Sequence, residues 1–125
     1  MQVALSESSS TILVIAKEPL IQTLMCSLVD LAGYHAAHSR SDESLAEAVT
    51  RVRPRLVLLD CEHDEACEDD AYRAASSVGA EVLLFTPSRS HAEVADLAAA
   101  RGLRSMALPI RLHEFTEALD STLHA

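Results

Sequence analysis

Apolar residues recur along this chain in two alternating patterns. Thr11-Ile12-Leu13-Val14-Ile15 is a continuous apolar run, the pattern of a strand covered on both faces. Pro19 then stands where a helix can start, and Leu20, Ile21, Leu24, Leu28 and Leu31 follow at helical spacing, an apolar stripe expected to face the core. Gly33 suits the residue just past that helix, and Tyr34 to His38 reads as a second strand. Ser41-Asp42-Glu43-Ser44 predicts an N-terminal cap, with Leu45, Ala48, Val49 and Val52 as the buried stripe and Pro54 as the stop. Leu56-Val57-Leu58-Leu59 is a third strand with Asp60 at its carboxyl end. The acidic segment Cys61 to Asp70 leads into an Ala-rich helix that stops near Gly79. Val82 to Phe85 is a fourth strand ending at Thr86. His91 to Arg101 is helical, with Val94, Leu97 and Ala98 inward. Ser105 to Leu108 is a fifth strand before Pro109, and Leu112, Phe115, Leu119 and Leu123 mark the last helix. Five strand–helix alternations predict an α/β domain with a parallel sheet covered on both faces.

The remaining composition narrows what such a domain does. Its 125 residues make one domain, with residues 1–10 expected as a frayed tail and 11–125 as the folded unit. A net charge of −9 argues against nucleic acid, which needs clustered Lys and Arg. No apolar stretch approaches the ~20 residues of a membrane span, and Met1 to Ser10 lacks the pattern of a signal peptide. Three cysteines, Cys26, Cys61 and Cys67, are too few for a disulfide framework, so a cytoplasmic location with reduced thiols is expected. Cys61-x-His63-x3-Cys67 lacks a fourth zinc ligand unless a carboxylate, His35 or His38 joins, and an acidic solvated loop is the plainer reading. No Gly-rich phosphate loop and no nucleophile–base–acid set is present. No catalytic residue, metal ligand set or cofactor is therefore assigned, and the chain is not read as an enzyme.

In parallel α/β sheets the binding crevice lies at the carboxyl ends of the strands. Those ends carry Ala16-Lys17-Glu18, Asp60, Thr86 and Leu108-Pro109. Asp60 alone could simply cap the turn that follows it. Taken together, Ile12-Leu13-Val14-Ile15-x-x-Glu18-Pro19-Leu20, Gly33-Tyr34, Pro54-x-Leu56-Val57-Leu58-Leu59-Asp60, Leu83-Leu84-Phe85-Thr86 and Leu108-Pro109 resemble the receiver domains of two-component response regulators over nearly the whole chain. The resemblance implies a flavodoxin-like (βα)5 three-layer sandwich with strand order 2-1-3-4-5. It implies Asp60 as the phosphoacceptor of a histidine kinase and Thr86 as the switch hydroxyl. It also implies partners (a histidine kinase or an output protein) and a homodimer or output face on the fourth helix, fifth strand and fifth helix. The magnesium-binding acidic pair of the family falls on Ala16 and Lys17, and its conserved lysine on Leu108, so these three positions depart from the pattern. Glu18 and Glu62 are the residual acidic neighbours.

The departures have a physical consequence. Phosphoryl transfer to a carboxylate brings negative charges together, and a divalent ion normally neutralises them. Here Lys17 is either a solvated surface lysine or a stand-in cation beside Asp60; in the second case, at about 4 Å and an effective dielectric of 20, the attraction is roughly 4 kcal/mol before desolvation. The reading is an atypical receiver acting by protein–protein contact in a phosphorelay or related pathway, with weak or absent magnesium-dependent phosphorylation. The alternative is a functional phosphoacceptor, phosphorylated on Asp60 by a histidine kinase, with Glu18 or Asp64 recruited to Mg2+. A third is a scaffold of the same fold without signalling.

Overall fold

A computed structural model describes residues 11–87, 91–108 and 110–124, the side chains of residues 67 and 91 excepted. The expected tail over residues 1–10 and the Pro109 corner lie outside the described residues. The chain runs β1 (Thr11–Ile15), α1 (Pro19–Leu31), β2 (His35–His38), α2 (Leu45–Val52), β3 (Leu56–Asp60), a 3-10 turn (Asp64–Cys67), α3 (Asp69–Ser77), β4 (Glu81–Thr86), α4 (His91–Ala99), β5 (Arg104–Ala107) and α5 (Leu112–Leu123). All pairings are parallel and the strand order is β2-β1-β3-β4-β5, as expected. The register sets Ile15 beside Leu59, Asp60 beside Phe85 and Thr86 beside Ala107, which brings the carboxyl ends of the inner strands together.

Side chains alternate across the sheet and build two cores. Leu13, Ile15, Val57, Leu59 and Leu84 pack under α2, α3 and α4 with Val49, Ala75, Val94 and Ala98. Ile12, Val14, Leu58, Leu83 and Phe85 pack under α1 and α5 with Met25, Val29, Phe115 and Leu119. Full burial of each such large side chain contributes about 1.5–3 kcal/mol. Local signals agree with these elements. Ser44 Oγ accepts from the Glu47 N–H (3.1 Å) and Glu47 Oε1 accepts from the Ser44 N–H (2.9 Å), a reciprocal cap. Arg53 ends α2 in the left-handed region (φ 51°), consistent with the steric bar against a right-handed helical residue before Pro54. Gly33, at φ 94°, turns the chain out of α1 without a Cβ penalty.

Two expectations need correction. On α1 the buried residues are Met25 and Val29, while Leu20, Leu24 and Leu31 stand 79%, 48% and 69% exposed. The helix is apolar nearly all round, so periodicity could not choose which stripe faces inward. Leu97 on α4 is also exposed, because the core takes the i, i+4 pair Val94 and Ala98 instead.

Candidate functional site

Asp60 ends β3 with zero exposure, and both of its carboxylate oxygens are held by backbone amides. Oδ1 accepts from the Glu62 N–H at 2.8 Å, an Asx turn that leads the chain out of the strand. Oδ2 accepts from the Lys17 N–H at 3.0 Å and so ties the β1–α1 loop to β3 across 43 residues of sequence. The Asp60 carbonyl accepts from the His63 N–H at 3.0 Å. Hydrogen bonds to a charged acceptor are worth about 1.5–3 kcal/mol each, so this carboxylate is itself a structural fastener. Thr86 is likewise fully buried on β4, and its carbonyl accepts from the Leu108 N–H at 3.0 Å.

Of the two readings of Lys17, the structure matches the solvated surface lysine. Its side chain is exposed, and among the described residues its ammonium forms no ion pair with Asp60; the backbone N–H makes the contact. A lysine stem keeps its strongly hydrated head in water when nothing compensates its desolvation. Ala16 and Leu108 are half-buried and pack against the same core cluster, which holds Phe85, Leu58 and Val14. These two apolar strand-end residues therefore share one neighbourhood. Glu18 is exposed at the start of α1, where its side chain caps no N–H. Glu62 is half-buried and enters the Asp60 contact through its backbone.

Magnesium requires oxygen ligands in near-octahedral array, usually with one or two carboxylates. The donor set here does not fit it: Ala16 offers no side-chain oxygen and Lys17 offers a cation, which leaves Asp60 as the one side-chain carboxylate among these strand-end positions. Among the described residues no group of three or more His, Cys, Asp and Glu side chains could hold a metal ion, and neither Cys26 nor Cys61 forms a disulfide.

Sequence reasoning missed a groove beside this site. Ile21, Leu24 and Leu28 of α1 meet Pro87, Leu108 and Ile110 around about 270 Å³ of largely apolar space. The departure of Leu108 from a basic residue was its one visible sign. On the far side, a groove of about 540 Å³ lies between α4, β5 and α5; its lining is mixed, with Arg104, Ser105, Glu114, Glu117 and Ser121 beside Leu83, Leu103 and Ala118.

No protein-family model matches this chain. No curated protein matches it either. Solved structures do. A pilus assembly-related protein of Burkholderia pseudomallei is 22% identical, with 94% of this chain and 91% of that one covered at a TM-score of 0.69. The signal receiver domain of a LuxO repressor protein from Vibrio parahaemolyticus is 18% identical over 92% and 90%, at 0.72. The receiver domain of a sensor histidine kinase from Pseudomonas aeruginosa, which coordinates a magnesium ion in its active site cleft, is 17% identical over 94% and 99%, at 0.73. The chain has the receiver fold, five parallel strands in the order 2-1-3-4-5 wrapped by five helices. Among the described residues no helix is long and apolar enough to cross a membrane.

Proposed function

We propose that this domain is an atypical receiver of a two-component or related pathway, non-enzymatic and cytoplasmic, that signals by binding a protein partner. In this reading Asp60 is retained for architecture: the carboxylate fastens the β1–α1 and β3–α3 loops, and magnesium-dependent phosphorylation there is weak or absent. The carrying observation is that both Asp60 oxygens accept backbone N–H bonds at zero exposure. Ala16 and Leu108 meanwhile pack in the core and supply no charge. Attack by a carboxylate on a phosphoryl group brings negative charges together and needs a cation to offset them. The groove on α4, β5 and α5 offers both Arg104 and the acids Glu114 and Glu117 to an output protein or kinase.

A functional phosphoacceptor is the competing reading, supported by the retained pair Asp60 and Thr86. Magnesium titration by calorimetry separates the two. Our reading gives no saturable heat in the millimolar range for the wild type. Millimolar binding that disappears in Asp60→Asn would establish the competitor.

A further inference from the structure

The longest helix of a strongly acidic domain carries almost no charge. Among its 13 residues α1 has only Asp30, whereas α3 has Asp69, Asp70 and Arg73 within nine. Leu20, Leu24, Leu28 and Leu31 follow at intervals of 4, 4 and 3 and share one side of the helix, with Leu20 and Leu31 the most exposed large apolar side chains among the described residues. Exposed apolar surface gathered this way marks an interaction face. The groove of about 270 Å³ runs alongside it, lined by Ile21, Leu24, Leu28, Pro87, Leu108 and Ile110. One face thus holds protruding leucines and an apolar recess.

We infer that this face is the self-association surface of the domain, and that its occupant is α1 of a second copy packed antiparallel about a two-fold axis. The spacing favours that arrangement. Reversing the helix about its midpoint sets Leu20 against the partner's Leu31 and Leu24 against the partner's Leu28, so the leucine pattern complements itself. A two-fold contact requires this kind of self-complementarity, with residue i meeting j and j meeting i. The groove lies beside the N-terminal half of α1, where the antiparallel partner brings its C-terminal leucine.

Charge selects the same occupant. Two copies at −9 each repel, and they approach most easily where neither presents an acid. A charged partner would find no counter-charge on the stripe, since Asp30 lies off it. A specific interface covers about a tenth of a small domain's surface, here of 6929 Å² in total. The inference does not depend on whether Asp60 accepts phosphate, and it leaves the α4–β5–α5 face open to another protein.

Sedimentation equilibrium of the whole chain at low and high salt tests it. The dimer is expected to form reversibly and to tighten several-fold between about 0.05 and 0.5 M salt, as screening shortens the reach of the like charges. Leu20→Glu and Leu31→Glu should each weaken it by at least about tenfold, and their exposure leaves the core intact, with circular dichroism unchanged and melting unchanged at concentrations where wild type and variant are both monomeric. The double variant Leu20→Glu/Leu31→Lys should recover association, because an antiparallel pair brings each new acid to the partner's new ammonium. A wild-type chain monomeric at all salt concentrations up to roughly millimolar would overturn the inference. So would a dimer indifferent to Leu20→Glu and Leu31→Glu but lost on Glu117→Lys, and failure of the double variant to recover would overturn the antiparallel arrangement.

Discussion

The inner and outer strand ends of this sheet differ in kind. At the ends of β3 and β4, Asp60 and Thr86 are polar and fully buried. After β1 and β5, Ala16 and Leu108 are apolar and pack against the core, and the Lys17 side chain is exposed. The difference is instructive because the two sets serve different needs. The apolar ends add to the packing of the sheet. Asp60 is the buried carboxylate that the backbone itself uses, receiving the N–H groups of Lys17 and Glu62. It therefore has an architectural role of its own, whatever chemistry the site supports.

The largest expected effect comes from removing that fastener. Asp60→Ala leaves two donors without their acceptor, at about 1–3 kcal/mol each, so denaturant unfolding should show a loss of roughly 3 kcal/mol or more. Asp60→Asn keeps one acceptor oxygen and should cost about half as much. If Asp60→Ala were neutral, the contrast between inner and outer ends would lose its physical basis.

Recharging the outer ends comes next. Ala16→Asp/Lys17→Asp should create magnesium affinity in calorimetry that the wild type lacks. The new acid at the half-buried position 16 should also lower stability by roughly 1–3 kcal/mol when magnesium is absent. Leu108→Lys alone should cost about 1–2 kcal/mol through lost packing and gain no magnesium affinity. Magnesium binding by the wild type equal to that of the double variant would erase the comparison.

The smallest effect concerns the brace away from the site, where the Tyr34 hydroxyl donates to Asp120 Oδ1 and joins the end of α1 to α5. Burial first, and then that bond, push the Tyr34 phenol up to about 12. A proton held more tightly in the folded state stabilises below the unfolded value near 10, and that contribution is lost as pH rises from about 10 to 12. Alkaline absorbance titration should show one of the chain's two tyrosines ionising near pH 12, a step absent from Tyr34→Phe.

Much of the fold was legible because contiguous apolar runs such as Leu56 to Leu59 have few other uses in a domain of this size. The caps at Ser44 and Pro54 carried their own chemistry, and the acidic stretch after Asp60 resolved into a 3-10 turn and α3. The orientation of α1 was not legible, since apolar residues occur on both its stripes and only docking against the sheet selects Met25 and Val29. The Lys17 contact was hidden for another reason. Every residue but proline offers a backbone N–H, so the donor that reaches Asp60 leaves no mark in the side-chain alphabet. The ammonium of Lys17 was the visible feature, and it faces water.

The direct test of the central claim is intact-mass measurement after incubation with a small-molecule phosphoryl donor and magnesium. We expect the wild-type chain to remain unmodified over the minutes in which the variant Ala16→Asp/Lys17→Asp/Leu108→Lys gains one phosphoryl group. Rapid, magnesium-dependent addition of a single phosphoryl group to the wild type, abolished by Asp60→Asn, would contradict the account.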